Sequence, residues 1–341
     1  MTRPASVDRL LGDDGAALHA YAAAPRVAVL IPCHNESAAI ATVVAEFRRT
    51  LPTASIYVYD NNSSDDTARI AAEAGAIVRT EPQQGKGNVV RRMFADIEAE
   101  AYVLVDGDGT YDAASATAMV ELLLRDSLDM VNGARVAATD NAYRFGHALG
   151  NRLLTGTVRL VFGNRIRDML SGYRVLSRRF VKSFPALATG FETETEITVH
   201  ALELRLPIAE IDTPYRDRAA GSESKLRTFR DGARILKTIV LLVKEERPLG
   251  FFSSVGLALA LAAMILAWPL FTTYLETGLV PRFPTAILST GLMILAFMSV
   301  VAGLVLDTVT LGRRELKRLH YLGLQGPTFR ERRRPPSAEG R

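Results

Sequence analysis

The sequence predicts an α/β domain built on a mostly parallel sheet, followed by a two-helix membrane hairpin. Three observations carry this expectation. Between residues 26 and 129, short β-branched apolar runs alternate with helical patterns, as strand–helix–strand units do. Polar side chains gather directly after four of those runs. Residues 249–275 and 283–306 carry no charge, and each is longer than the roughly 20 residues that cross a ~30 Å hydrocarbon core as a helix.

Each element follows from its residues. Residues 1–24 read as an N-terminal extension: Asp8, Asp13 and Asp14 interrupt it and it has no continuous apolar run, so it does not read as a signal peptide and membrane delivery is expected from the C-terminal hairpin. Residues 27–31 read as a buried strand stopped by Pro32, which cannot donate to a central ladder. Residues 36–51 place Ile40, Val43, Val44 and Phe47 on one helical face. A second strand at 55–60 leads into a loop rich in helix-capping residues at 61–66. A short helix to 74, a strand at 76–79, a loop with Gly85, Lys86 and Gly87, a helix to 100 and a strand at 101–105 complete the repeat.

Ligands of parallel sheets bind beyond the carboxyl ends of the strands. Asn35 and Glu36 follow the first strand, Asp60 and Asn61 the second, Gly85-Lys86-Gly87 the third, and Asp106-Gly107-Asp108 the fourth. One ligand site explains all four. Gly107 lets the chain bend so that both flanking carboxylates approach one cation, and a hard divalent ion, Mg2+ or Mn2+, accepts carboxylates together with phosphate oxygens. The lysine loop lacks the spacing of a Walker phosphate loop, and no GxGxxG follows the first strand, which argues against ATPases and dinucleotide dehydrogenases. His34 and Glu36 lack the second histidine of a helical zinc motif. Cys33, the single cysteine, leaves no internal disulfide and fits a reducing compartment.

The runs PCHNE at 32–36, YDNNSSDDT at 59–67, GKGN at 85–88 and VDGD at 105–108 resemble the nucleotide-sugar-binding half of family 2 glycosyltransferases with the GT-A fold. SGYR at 171–174, GFETE at 190–194 and RAAGSESK at 218–225 resemble the polyprenyl-phosphate hexosyltransferases, the group containing dolichyl-phosphate mannose synthase. The resemblance implies a nucleotide-sugar site lined by Pro32, Asn35, Glu36, Asp60, Asn61, Gly85, Lys86, Gly87, Asp106, Gly107 and Asp108. It implies that Glu36 and Asp60 contact base and ribose, and that Asp106 and Asp108 hold the metal that bridges the diphosphate. Arg218 and Lys225 would lie on a loop closing over that diphosphate, where two cations stabilise the departing nucleoside diphosphate. Many relatives have two acidic residues at the second strand end, where this chain has Asp60 and Asn61. Glu192 and Glu194 either position the sugar or start a helix, where carboxylates favour the dipole.

The implied acceptor is a polyprenyl phosphate, mostly ionised at pH 7 because a phosphate monoester has its second pKa at about 6. It needs no strong base, only cations that hold it in line with the anomeric carbon. Arg152, Arg167 and Arg174 are the candidates, with Ser171 as a hydrogen-bond donor. Arg152 lies in a segment, 143–162, that reads as a partly apolar helix suited to resting on lipid.

The chain thus divides into the extension, a GT-A domain at 25–225, an amphipathic juxtamembrane helix at 226–248, a transmembrane hairpin at 249–307 and a basic tail at 308–341. Arg227, Arg230, Arg234 and Lys237 alternate with apolar residues, which suits a helix in the headgroup plane. Residues 313–341 hold nine Lys+Arg against three Asp+Glu, so the net charge of +4 is a local feature that fits anionic lipid and not nucleic acid. Basic residues flank both outer ends of the hairpin, which places the soluble domain and the tail in the cytoplasm. The expected function is inverting transfer of a hexose from a nucleotide sugar to polyprenyl phosphate at the cytoplasmic membrane, with a UDP-sugar favoured and GDP-mannose open. A homo-oligomer, a tetramer by resemblance, is expected. The alternatives are a glycosyltransferase that extends a lipid-linked or polysaccharide glycan, and an inactive membrane scaffold.

Overall fold

The computed structural model describes residues 25–137, 156, 166–187, 192–216, 240–241 and 243–326. The expected repeats are present as β1 (Val27–Cys33), α1 (Ile40–Thr50), β2 (Ser55–Asp60), α2 (Thr67–Glu73), β3 (Ile77–Thr80), α3 (Lys86–Asp96) and β4 (Ala101–Leu104). They continue into α4 (Ser115–Arg125), β5 (Met130–Ala137), β6 (Arg174–Ser177), α5 (Arg178–Ser183), α6 (Thr193–Glu203) and β7 (Ile208–Tyr215). These strands form one seven-stranded sheet in the order β3-β2-β1-β4-β6-β5-β7. Among the described strands β6 runs antiparallel to both its neighbours, whereas β1, β2, β3 and β4 pair in parallel and so do β5 and β7.

Both faces are covered at the centre of the sheet, which is why β1 and β4 read as apolar runs. Leu30, Tyr102, Met93, Phe94, Phe180 and Ile197 bury on the side of α3, α5 and α6. Ile31, Val103, Ile40, Phe47, Met119 and Leu123 bury on the side of α1 and α4. Pro32 does not stop β1, which runs on to Cys33. The reason is positional: β4 pairs with β1 only as far as Leu30, so Pro32 has a strand neighbour on one side and its missing N–H breaks no ladder on the other.

Register fixes which residues share an edge. Arg174 at the start of β6 lies opposite both Leu104 at the end of β4 and Asn132 of β5. The loop before β6 therefore meets the loop after β4. Asp129, just ahead of β5, lies at the other edge, where its carbonyl accepts from the Ser177 N–H.

Two helices, α7 (Pro248–Thr277) and α8 (Phe283–Leu322), are long and apolar enough to cross a membrane. They pack on each other along a seven-residue period: Gly256, Ala263 and Leu270 of α7 are buried, as are Ser289, Ala296, Gly303 and Thr310 of α8. A Cβ on Gly256 would stand 2.9 Å from the Ala296 carbonyl oxygen, so the small residue is what lets the backbones approach. Their remaining apolar side chains, Ile265, Phe271, Ile294 and Phe297 among them, are exposed. The helix does not end where the apolar run ends. α8 continues without a break to Leu322, so the first part of the expected tail is helix, and it packs against the sheet domain. Of the expected juxtamembrane helix, residues 240–241 and 243–246 are described and helical. Its basic stretch, the 1–24 extension and residues 327–341 lie outside the described residues.

Candidate active site

The first two strand ends are tied to each other by side chain to backbone bonds. Asn35, in the left-handed region at φ 55°, accepts from the Ser64 N–H at 2.8 Å through Oδ1, while its own N–H donates to Ser63 Oγ at 2.9 Å. The Glu36 N–H donates to Thr67 Oγ1 at 2.8 Å. Asp60 Oδ2 accepts from the Ser63 N–H, whereas its other oxygen, Oδ1, is buried with no hydrogen-bond partner. A buried orphan acceptor costs free energy unless a ligand satisfies it.

Asn61 does something the sequence did not suggest. Its Nδ2 donates to the carbonyls of Glu81 and Gln83, both at 2.8 Å, and its Oδ1 accepts from the Gly85 N–H at 2.7 Å. The amide is fully occupied in clamping the 81–85 loop onto β2. Gly85, at φ 131°, then turns the chain into α3 in a conformation that a side chain would strain. Gly87 is buried in the first turn behind it.

This places Lys86 at the first position of α3. Its side chain is 12% exposed and its ammonium bridges Asp106, at 2.5 Å, and Glu194 in the first turn of α6. Burial works against that charge, but the two carboxylates outweigh it and raise the Lys86 pKa. Asp106 is further confined by Gly172, where a Cβ would stand 2.4 Å from Asp106 Oδ2. Asp108 is buried, and its Oδ1 accepts from the Thr110 N–H at 3.1 Å and from Thr110 Oγ1 at 2.7 Å. Gly107 is dictated by close approach, since a Cβ there would meet Cys33 Sγ at 2.6 Å. Cys33 reports the local field: burial first, then the charges of Glu36, Asp60, Asp106 and Asp108, push its thiol well above the usual range. Carboxylates from three strand ends therefore act on this one buried thiol.

The expected acceptor residues divide. Arg174 is fully buried, and its guanidinium donates to the Ser171 carbonyl at 3.0 Å and to the Met169 carbonyl at 2.6 Å. Burial pushes it down to about 10, opposed by Glu194 and Asp168. Ser171, also buried, donates through Oγ to the Gly133 carbonyl at 2.6 Å. Both shape the 169–174 loop from inside and neither side chain opens on solvent. Arg167 pairs with Glu210 at 3.0 Å and with Asp212 at 2.5 Å and remains exposed. Glu192 stands partly exposed just ahead of α6, with Glu194 turned inward. Arg152, Arg218 and Lys225 lie outside the described residues. Three contributors were missed in the sequence: Thr110, Gly172 and Tyr111, whose hydroxyl accepts from the Gly172 N–H at 2.8 Å. The glycine of the SGYR run was the available signal.

Among the described residues no group of three or more His, Cys, Asp or Glu side chains forms a metal cage. Asp106 and Asp108 supply two hard oxygen donors on one bend, a set suited to an ion that takes its remaining ligands from phosphate and water.

A sheet of this strand order, with acidic side chains beyond the ends of its parallel strands and a reversed strand beside them, has the GT-A architecture. The profile of glycosyl transferase family 2 matches residues 28–184. Glycosyltransferase AglJ of Haloferax volcanii is 31% identical over 300 residues, covering 87% of this chain and 98% of its own. A dolichyl-phosphate hexose transferase of the same organism is 29% identical over 222 residues, 65% of this chain and 95% of its own. Glucosyl-3-phosphoglycerate synthase from Mycobacterium tuberculosis, solved with Mn2+, UDP and glucosyl-3-phosphoglycerate, superposes with a TM-score of 0.54 at 22% identity over 72% of this chain and 85% of that one. The chain belongs to glycosyl transferase family 2.

Proposed function

We propose that this glycosyltransferase moves a hexose from a nucleotide sugar to a polyprenyl phosphate at the cytoplasmic face of the membrane. The observation that carries the reading is that the sheet domain with the carboxylate-lined site is packed onto the polar continuation of α8, the second of two membrane-length apolar helices. An acceptor dissolved in lipid requires such an anchor, and one dissolved in water does not. The similarity to a dolichyl-phosphate hexose transferase supports the same acceptor class.

The charge at the strand ends supports a divalent cation. The charges of Glu36, Asp60, Asp106 and Asp108 all act on Cys33, and Lys86 pairs with Asp106. A nucleoside diphosphate brought to that edge meets like charge unless a cation stands between. Asp106 and Asp108 would hold Mg2+ or Mn2+, and the ion, when bound, supplies positive charge to the diphosphate. Mn2+ and UDP in the mycobacterial synthase fit this reading and favour a UDP-sugar donor. Asp60 offers its buried Oδ1 to a ribose hydroxyl. Glu194 fixes Lys86 and, with Glu192, borders the space for the sugar. Arg218 and Lys225 close on the diphosphate, and Arg152 and Arg167 serve the acceptor phosphate, while Arg174 and Ser171 act indirectly by shaping the 169–174 loop.

The test is transfer in vesicles. Labelled UDP- and GDP-sugars are incubated with the full chain, polyprenyl phosphate and Mn2+ or Mg2+, and the lipid is extracted. Labelled lipid that disappears with chelator and in Asp108→Ala is expected. Label absent from lipid with every donor, or undiminished in Asp108→Ala, overturns the proposal; label entering a longer glycan instead favours the chain-extending alternative.

A further inference from the structure

α8 does not stop at the end of its apolar run, and its polar continuation meets buried acids on the sheet domain. Glu203, the last residue of α6, has a fully buried side chain. Lys317 Nζ lies 2.7 Å from its Oε2 and Arg314 Nε 3.3 Å from its Oε1, the latter an ion pair too bent to be a hydrogen bond. A buried carboxylate stripped of its cations is strongly unfavourable, so Glu203 suits a domain with α8 in place. A second contact lies one turn further. Asp129 is fully buried, accepts from Arg179 at 2.8 Å and from the Tyr321 hydroxyl at 2.6 Å, and the Arg179 guanidinium sits 4.5 Å over the Tyr321 ring. Arg314, Lys317 and Tyr321 recur at steps of three and four, so one helix face makes both contacts. Glu246, just ahead of α7, binds Arg313 at 3.2 Å and Arg314 at 3.0 Å, tying the same stretch to the start of the hairpin.

The path from this contact to the site is short and stiff. α6 has 11 residues, a rod of about 16 Å at 1.5 Å per residue. Its last residue, Glu203, is held by α8, and its first turn carries Glu194, which binds Lys86 beside Asp106. We propose that Glu203 and Asp129, gripped by Arg314, Lys317 and Tyr321, are positioning residues that mount the donor site at a set height and orientation over the bilayer. This rests on the reading that the acceptor phosphate lies at the membrane surface. A displacement of about 1 Å at reacting atoms costs roughly 100-fold in rate, so an acceptor confined to one depth rewards a rigid mount, whereas a soluble acceptor does not need one.

The experiment compares the full chain in lipid nanodiscs with the Lys317→Met/Tyr321→Phe double variant, and with Lys317→Arg as the conservative control. Hydrogen–deuterium exchange of residues 312–322 and 200–204 reads the latch without any substrate, and is expected to quicken about tenfold in the double variant and to stay near wild type in the control. Kinetics read the positioning. The KM for long-chain polyprenyl phosphate in the bilayer is expected to rise about tenfold, with kcat for a short-chain, water-soluble isoprenyl phosphate and nucleotide affinity both within about twofold. Unchanged exchange overturns the latch. Faster exchange with an unchanged KM, or equal losses with both acceptors and the nucleotide, overturns the positioning role. A wild type that uses neither acceptor overturns the acceptor reading and the positioning role with it, while exchange still decides whether the latch exists.

Discussion

Gly172→Ala tests whether Asp106 is held where the chemistry needs it. The added Cβ would stand 2.4 Å from Asp106 Oδ2 and 2.9 Å from its Cγ. Ordinary contact demands a separation larger by roughly 1 Å. The backbone of Gly172 cannot supply that shift easily, because its N–H is bonded to the buried Tyr111 hydroxyl and its neighbour Ser171 is bonded to the Gly133 carbonyl. The carboxylate must therefore move, and with it the 2.5 Å contact to Lys86. A shift of that size at a group beside the reacting atoms corresponds to a rate lower by about 100-fold, or about 2.7 kcal/mol of activation free energy. Stability should fall by less than about 1 kcal/mol, since the clash lands on the end of a side chain and not on backbone. Initial rates of nucleoside diphosphate release, paired with thermal unfolding, separate the two effects. A variant with wild-type melting and a rate within about threefold of wild type would refute the steric argument; one that is simply unfolded would refute the claim that the side chain yields.

Other contacts lead to three more expected outcomes. Asn61→Asp keeps the acceptor for the Gly85 N–H but turns a carboxylate toward the carbonyls of Glu81 and Gln83, so stability should drop by about 3 kcal/mol, read as a shift in denaturant midpoint, with no change in the preference between UDP- and GDP-sugars. His200, packed edge-on against Phe180 and Phe184, is pushed down to about 3 by burial and then by the Lys317 charge. The unfolded chain, with a histidine pKa of about 6.5, binds the proton first, so stability should fall by up to roughly 1.4 kcal/mol per unit as pH drops from 6.5 toward 3, and His200→Phe should flatten that slope in pH-dependent unfolding. Cys33, buried with its thiol pKa raised, should react with a maleimide at about pH 8 far more slowly in the native protein than in denaturant, and equal rates would contradict its placement under Gly107.

How far the sequence reached depended on the range of the interaction. The four strand ends were legible because each is an apolar run followed at once by a polar cluster, a pattern confined to a dozen neighbouring residues. β6 was not, since RVLS is four residues long and carries no mark of direction; its reversal comes from the chain entering at the site edge. Arg174 shows the limit for side chains. Its charge suggested a phosphate ligand, but a residue at the start of β6 has neighbours on both sides of the sheet, and only the fold reveals that its guanidinium closes on Met169 and Ser171. Asn61 looked like a lost acid until the 81–85 loop was in place to receive its amide. Glu203 and Lys317 are separated by more than a hundred residues, and neither carries a local sign of the other.

The acids at the strand ends and the cations after α8's apolar run solve opposite problems. At the site, the carboxylates of the described residues outnumber the ammonium of Lys86, which suits a ligand that arrives with a divalent ion and repels a bare diphosphate. After α8's apolar run, Arg314 and Lys317 are paired with Glu203 of the sheet domain and Arg313 with Glu246, so these side chains are already engaged within the protein. The basic stretch after the apolar part of α8 therefore contributes less lipid attraction than its charge count implies. A surface charge that is already neutralised by a buried carboxylate adds little to the field an anionic headgroup feels, and the pull on the bilayer is left to whichever cations lack such partners.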